Sequence, residues 1–202
     1  MLKKILIADR GEIVLRIIKT CKRLGIQTVC IAESDDDYLQ QNRFGEVIEI
    51  NSYNDVNSIV LAAKTCKADA IHPGYGFLAE NSQLCKECLN NGITFIGPSE
   101  DSLQITSNKI TAKQFANAAD LPVISGSGEI KTLNEAKIAS EKISFPLLVK
   151  PVYGGGGKGI FKINHEKELE DLFRNLASES WFTNSYSNLF IEKQIPNARH
   201  IE

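Results

Sequence analysis

The sequence predicts an α/β protein in two parts, a parallel-sheet unit followed by a small α+β module. Three observations predict this division. Strand-like and helix-like segments alternate over residues 1–98. A helical connector follows over residues 99–124. After it, four consecutive glycines at 154–157 separate two apolar runs, which points to a turn between two strands.

The elements of the first part follow from its apolar periodicity. Short apolar runs predict strands at residues 5–8, 28–32, 47–50, 70–72 and 94–96. Helical spacing predicts helices at residues 13–24, at 56–66 and around 84–89. Asn54 or Asp55 is the expected cap of the second helix and Asn81 that of the third, whereas Gly25 ends the first. Because strands and helices alternate, we expect a parallel sheet covered on both faces.

The second part mixes helices and strands less regularly. The connector is helical from about 100 to 119 with an interruption at Ser107 and Asn108, and residues 123–128 are interpreted as a linker. Helices are predicted at 133–143 and 166–176, and strands at 147–150, 160–163 and 189–194. No structure is assigned to residues 178–188, which carry Trp181, Phe182 and Tyr186 among polar residues.

Composition excludes several classes of protein. The 202 residues are 43% hydrophobic and 24% charged, which is typical of a soluble globular protein. A net charge of −2 gives no reason to expect nucleic acid or an anionic membrane as a partner. No apolar run is long enough to span a bilayer and the N-terminus lacks a signal-peptide layout, so we expect a cytoplasmic protein.

The five cysteines are expected to be structural. They are scattered, and the only CxxC, Cys85 to Cys88, has no second pair and falls within a predicted helix. Thiols in a reducing cytosol are usually small core residues, so neither a zinc site nor a redox centre is predicted.

The glycine run indicates an anion-binding loop. Lys150 ends an apolar run before the four glycines and Lys158 follows them. A mobile turn of this kind exposes backbone N–H groups to an anion while lysines supply countercharge, so a polyphosphate is the expected ligand. A flexible hairpin with solvated lysines is the alternative. A P-loop and a Rossmann turn do not fit, because no Gly-Lys-Ser/Thr leads into a helix and the loop joins two strands.

Five motifs in a fixed order then resemble a known family. They are the segments 7–13 (IADRGEI), 71–81 (IHPGYGFLAEN), 95–98 (FIGP), the glycine loop, and the closing stretch with Ile191-Glu192-Lys193 and Ala198 to Glu202. The chain resembles biotin carboxylase, the ATP-grasp ligase of acetyl-CoA, propionyl-CoA and pyruvate carboxylases, over essentially its whole length. The resemblance implies an α/β fold made of a Rossmann-like pre-ATP-grasp domain and the small α+β lid of an ATP-grasp fold.

The resemblance also implies domain boundaries. They are an N-terminal biotin carboxylase domain at 1–98, a helical connector at 99–124, a lid subdomain at 125–195 and the start of a C-terminal domain at 196–202. The metal ligands and catalytic groups of the family lie in that C-terminal domain, so no catalytic or metal-binding residue is expected in this chain. We therefore expect an N-terminal fragment that is not active alone.

The implied chemistry is carboxylation of biotin. In the family, ATP with Mg²⁺ and bicarbonate gives carboxyphosphate, and biotin on a carrier protein or domain accepts the carboxyl group. The implied partners are ATP, bicarbonate, the biotinylated carrier and a carboxyltransferase. A homodimer through the N-terminal helix is also implied by Arg16, although Arg23 stands where an acidic residue is often found. The implied compartment is the cytoplasm, or the mitochondrial matrix for an organelle enzyme.

Nine ATP contacts are carried over from the resemblance. Phosphate contacts are implied for Lys109 and Lys150, and lid amides over the phosphates for Gly156 and Gly157. The remaining five are Glu192, Lys193, Gln194 and Ile195 on the adenine-contacting strand, and His200 near the ribose and phosphates.

Four features depart from the family pattern. Asp9 replaces an asparagine, Pro151 and Tyr153 replace small residues before the glycines, and residues 35–46 are shorter than usual. The bulk of Tyr153 is expected to crowd the lid. His72, at a predicted strand end, is a site-lining candidate.

Two other functions stay open at this point. One is a catalytically dead module that binds nucleotide or a carboxylase subunit. The other is a different ATP-grasp ligase, such as a carbamoyl-phosphate or purine-pathway enzyme, which the opening Arg-Gly-Glu motif and the His-Pro-Gly-Tyr-Gly-Phe motif disfavour.

Overall fold

A computed structural model of the chain describes residues 2–36, 45–153, 159–178 and 188–199. The chain divides into two compact units, Met1–Gln104 and Ile105–Glu202. Each unit is built on its own sheet.

The first unit is a five-stranded parallel sheet with helices between its strands. Its elements are β1 (Lys4–Ile7), α1 (Glu12–Arg23), β2 (Gln27–Ala32), β3 (Glu46–Glu49), α2 (Val56–Thr65), β4 (Ala70–His72), α3 (Ser82–Asn90), β5 (Thr94–Phe95) and α4 (Glu100–Ser107), the last of which runs across the division. The strand order is β3-β2-β1-β4-β5, and all four neighbouring pairs are parallel. The predicted parallel sheet is confirmed, with strand ends that differ by at most one residue.

Helix termini in this unit follow local side-chain chemistry. Asp55, and not Asn54, caps α2, since its carboxylate accepts from the backbone N–H groups of Asn57 and Ser58. Asn81 accepts from the N–H of Leu84 at the start of α3, as predicted. Gly25 follows α1 at a φ of 72°, a conformation that favours glycine.

The sheet is buried on both faces. Leu6 and Ile71 point into one apolar cluster, and Ile5, Ile7 and Val14 belong to a second cluster. All five cysteines are free and buried, so the prediction that they are small core residues is confirmed. Among the described residues, none of the helices is both long and apolar enough to cross a bilayer.

The second unit is a three-stranded antiparallel sheet with two helices packed against it. Its elements are α5 (Lys109–Ala118), α6 (Leu133–Ile143), β6 (Leu147–Pro151), β7 (Phe161–Ile163), α7 (Glu166–Ser178) and β8 (Leu189–Lys193), and the strand order is β7-β6-β8. A capping box starts α6, because Thr132 accepts from the Glu135 N–H and the Glu135 carboxylate accepts from the Thr132 N–H. The predicted break at Ser107 and Asn108 is confirmed, and Asn108 caps α5.

The interpretation of residues 123–128 as a linker is wrong in part. Lys193 N–H donates to Ser125 O at 2.8 Å, Ser127 N–H donates to Ile191 O at 2.8 Å, and Gly126 forms an isolated antiparallel bridge with Glu192. Without this segment, β8 would be an edge strand with unpaired backbone groups on that side. The segment therefore forms short, irregular backbone pairing along the outer edge of β8.

Several predictions lie outside the described residues. They concern residues 37–44, the glycine loop at 154–158, the aromatic segment at 179–187, and residues 200–202. The predicted domain boundaries at 98, 124 and 195 stay predictions.

Candidate functional site

Strand alternation places charged side chains on one face of the second sheet. Leu147 and Val149 of β6, with Leu189 and Ile191 of β8, belong to the apolar cluster that α6 and α7 cover. Because successive side chains of a strand point to opposite faces, Lys150 and Glu192 lie on the other face. The pairings Lys150 with Phe190 and Leu148 with Glu192 make Lys150 and Glu192 diagonal neighbours.

Glu192 is the centre of this group. Its Oε2 lies 2.5 Å from Lys150 Nζ and its Oε1 lies 2.6 Å from Lys113 Nζ. The side chains of Glu192, Lys113 and Lys150 are 11%, 23% and 19% exposed. Burial raises the pKa of Glu192, but hydrogen bonds from the two lysines outweigh it and lower the pKa below its ordinary value. The carboxylate is therefore ionised at neutral pH and shared between two ammonium groups.

Lys109 adds a third ammonium to the same unit. Its Nζ lies 3.4 Å from Pro151 O and 3.5 Å from Val152 O, directly after the strand that carries Lys150. Burial, and then the charge of Lys150, lower the pKa of Lys109. The sequence-predicted phosphate lysines are thus close enough to interact electrostatically. Lys113 and Lys150 share the Glu192 carboxylate, and Lys109 lies close enough to Lys150 to feel its charge, so positive charge of a kind that suits a polyanion is gathered here.

Tyr153 is tied to the start of α5. Asn108 Oδ1 accepts from the N–H groups of Ile110 and Thr111, while Asn108 Nδ2 donates to the Tyr153 hydroxyl at 3.2 Å. Tyr153 is 58% exposed. This tyrosine therefore has a defined position beside Lys109 at the last described residue before the glycine loop.

The end of β8 offers polar groups of a different kind. Lys193 Nζ donates to Ser144 O at 3.1 Å and to Phe145 O at 2.9 Å, so its ammonium satisfies local carbonyls. Gln194 N–H donates to Pro146 O at 3.1 Å, but the buried Gln194 Oε1 has no hydrogen-bond partner among the described residues. A buried oxygen acceptor without a donor fits the edge of a ligand that carries N–H groups, such as an adenine amine. Ile195 follows with 51% exposure.

Six of the nine predicted ATP contacts lie among the described residues, in two separate sets. Lys109, Lys150 and Glu192 form the charged group, while Lys193, Gln194 and Ile195 form the strand end. The other three, Gly156, Gly157 and His200, lie outside the described residues.

Lys113 is the residue that sequence reasoning missed. It lies four positions after Lys109 on α5, and residues at that spacing share one helix face. The available signal was a pair of lysines on one face of a capped helix. A glutamate follows later in the chain, on a strand whose apolar and polar residues alternate poorly. The poor alternation of β8 arises because both of its faces are buried, as Phe190 at 1% and Glu192 at 8% exposure show.

The loop after β4 in the first unit encloses a side chain of the chain itself. Asp9 is 4% exposed, and its carboxylate accepts from the N–H groups of Arg10, Tyr75 and Gly76 at 2.8, 2.9 and 3.1 Å. His72 Nδ1 accepts from Gly74 N–H at 3.1 Å, and burial lowers the pKa of His72 although Asp9 opposes this. The Gly74-Tyr75-Gly76 segment therefore wraps the Asp9 carboxylate at the point where the strand order of the sheet reverses, between β1 and β4.

Within the described ranges, no group of three or more His, Cys, Asp or Glu side chains could hold a metal ion.

Comparison with family models assigns both units. Residues 1–103 match the model of the biotin carboxylase N-terminal domain. Residues 108–202 match the model of the carbamoyl-phosphate synthase L chain ATP-binding domain. The junction between the two matches falls close to the division between the two structural units.

Curated proteins and solved structures extend the likeness. The chain is 41% identical to pyruvate carboxylase of Staphylococcus aureus, across 100% of this chain and 18% of that protein. It is 40% identical to biotin carboxylase 1 of Bacillus subtilis, across 100% of this chain and 47% of that protein. The biotin carboxylase domain dimer of Hydrogenobacter thermophilus 2-oxoglutarate carboxylase, solved with MgADP, ADP and bicarbonate, superposes with a TM-score of 0.88 at 37% identity, over 98% of this chain and 45% of that one. The chain spans less than half the length of these relatives.

Proposed function

The chain belongs to the biotin carboxylase family, and from that premise we propose that it is the N-terminal, nucleotide-contacting part of an enzyme that carboxylates biotin with ATP and bicarbonate. The reaction class is that of a ligase. Biotin on a carrier protein or domain is the carboxyl acceptor. We expect these 202 residues alone to bind nucleotide without carboxylating biotin.

The observation that carries the proposal is the shared carboxylate. Lys113 and Lys150 meet at the Glu192 carboxylate on a partly buried face, and Lys109 lies close enough to Lys150 to interact with it electrostatically. Exposed lysines are ordinary, whereas partly buried ammonium groups gathered in one place favour the binding of an anion. A triphosphate supplies such charge, and relatives of this chain are solved with ADP.

The proposed contacts fall into two sets, one for the phosphates of the nucleotide and one for its adenine and ribose. Lys109 and Lys150 neutralise phosphate oxygens, and the amides of Gly156 and Gly157 cover them. The strand end from Glu192 to Ile195 contacts the adenine, with Gln194 Oε1 as a further acceptor for its amine, and His200 lies near the ribose and phosphates. Mg²⁺ supplies neutralisation of the phosphate charge when it is bound. Within the described residues, no group of three or more His, Cys, Asp or Glu side chains could hold the ion.

The proposed partners are those of a biotin-dependent carboxylase. They are bicarbonate, the biotinylated carrier, a carboxyltransferase and a second copy of the chain. The dimer surface is proposed on α1, where Arg16 is exposed and Leu15 and Leu24 are 47% and 64% exposed. Five free thiols favour a reducing compartment, either the cytoplasm or the mitochondrial matrix.

Calorimetric titration of the chain with ATP and with adenosine tests the proposal. We expect ATP to bind more tightly than adenosine, and K150M to weaken ATP binding by about tenfold through the loss of one charge-assisted contact. K131M removes a charge from a lysine that is 64% exposed and should leave binding unchanged. Equal affinity of wild type and K150M for ATP, or no ATP binding, contradicts the proposal. Adding the C-terminal part of a relative then distinguishes an enzyme, which regains carboxylation, from a module that only binds nucleotide.

A further inference from the structure

Lys113 has no role among the residues predicted to contact nucleotide, yet it makes one of the two ion pairs of Glu192. Its Nζ lies 2.6 Å from Glu192 Oε1 and 5.9 Å from the centre of the Phe190 ring. Lys150 occupies the other carboxylate oxygen. The two lysines thus use separate oxygens, and neither has to leave for the other to bind.

The space that Lys113 fills is provided by a glycine. A Cβ on Gly126 would lie 3.0 Å from Lys113 Nζ and 3.0 Å from Ile191 O. Gly126 also bridges Glu192 on the outer side of β8. The ammonium is therefore enclosed by β8, by the segment that pairs with it, and by an aromatic face.

Charge balance shows what this placement does. A lone Lys150–Glu192 pair would be neutral, and the carboxylate would compete with any phosphate for the lysine. If Lys150 then moved to a phosphate, a carboxylate that is 11% exposed would be left without a partner, which is strongly unfavourable. A second resident cation removes both costs, because the carboxylate stays paired when Lys150 leaves.

We propose that Lys113 is a positioning residue that keeps Glu192 paired, so that Lys150 is free to move from Glu192 to the phosphates of the nucleotide. This inference rests on the proposed function for the identity of the anion. Lys113 itself acts on the phosphate through Lys150. Glu192 correspondingly holds Lys150 in place while the nucleotide is absent.

A titration without nucleotide tests the pairing directly. In K150M, which imitates the departure of Lys150, the ¹³C signal of the Glu192 carboxyl should still report an ionised group at neutral pH. The K113M/K150M double variant lacks both lysine hydrogen bonds, so burial alone acts on the pKa of Glu192. The midpoint of the Glu192 titration should then rise above the carboxyl's ordinary value of 4.5. Identical titration of the two variants overturns the role of Lys113. If K113M does not fold, K150M decides alone, since a Glu192 midpoint above the ordinary value in K150M overturns the inference.

Nucleotide binding tests the consequence. K113M should weaken ATP binding by about tenfold while adenosine binding changes less than about twofold, and K113R should restore ATP binding because it keeps the charge. K131M is the matched control for loss of one positive charge. Equal weakening of ATP and adenosine binding would indicate a merely structural role and overturns the inference. Failure of the wild-type chain to bind ATP counts against the proposed function. The Glu192 titration needs no nucleotide, so it still tests the role of Lys113.

Discussion

The Lys113 ammonium lies 2.6 Å from a Glu192 oxygen, although 79 positions of sequence separate the two residues. This contact joins the helix that starts at Lys109 to the strand that ends at Lys193. It makes the charged group a three-element structure, with Lys150 contributed by β6. The segment that holds Gly126 also approaches this contact, since a Cβ on Gly126 would lie 3.0 Å from Lys113 Nζ. The electrostatics of the site therefore depend on how closely this segment approaches β8.

Replacing Gly126 tests that close approach. In G126A the new Cβ meets Ile191 O at 3.0 Å, and the carbonyl cannot move without loss of the Ser127 hydrogen bond. We expect a loss of about 1–3 kcal/mol in the free energy of unfolding, which is typical of overpacking, together with weaker ATP binding. Urea unfolding and calorimetry measure the two effects. G128A is the matched control, since nothing lies within 4 Å of its added Cβ, and an equal loss in both variants would contradict the steric explanation.

Acid should weaken the second unit through Glu192. The pKa of this carboxyl is lowered in the folded chain, so its contribution to stability is present above its unfolded value near 4.5 and is lost as pH falls through the folded value. In E192Q the lysines lose their counter-ion, and at pH 7 we expect a loss of about 2–4 kcal/mol. The difference between wild type and E192Q should shrink below the ordinary carboxyl value. A gap that is constant from pH 7 to pH 3 would show that Glu192 charge is not responsible.

The sequence revealed the first sheet well because its signals are local. Alternating apolar runs with caps such as Asn81 specify strands and helices without reference to distant residues. The segment 123–128 was misread because its pairing with β8 is a tertiary property, which the proline and glycine composition does not encode.

The sequence singled out part of the candidate site, whose role in nucleotide binding stays a prediction. Lys150 was found because it stands between an apolar strand and a glycine run, which is a local pattern. Lys113 resembled a solvated helix residue, since lysine is usually exposed. Its partly buried setting comes from Phe190 and Glu192, far along the chain, and from the close approach of Gly126.

The thiols should be inert in the folded protein. Burial raises the pKa of Cys30 and of Cys88 to about 12, and Cys21, Cys66 and Cys85 are shifted in the same direction. Because the thiolate is the reactive form, a thiol reagent at pH 8 should label the native chain slowly and all five cysteines after unfolding. Mass spectrometry counts the labels. Rapid labelling of Cys85 and Cys88 in the native chain would instead indicate an accessible CxxC.

The turn around Asp9 is expected to tolerate no side chain at Gly74. A Cβ there would lie 1.8 Å from Asp9 Oδ2, and Gly74 has a φ of 68°. Two costs therefore add in G74A: backbone strain of about 1–2 kcal/mol, and displacement of a buried carboxylate from the N–H groups of Tyr75 and Gly76.

G92A isolates the first cost, since Gly92 has the same φ of 68° and nothing within 4 Å of an added Cβ. We expect G74A to lose at least about 2 kcal/mol more than G92A in urea unfolding, because a buried acceptor without its donors is costly. D9N should lose less than G74A, since an amide oxygen can still accept from these N–H groups. Equal losses in G74A and G92A would mean that the loop moves away from Asp9 at little cost, and that the carboxylate does not fix its conformation.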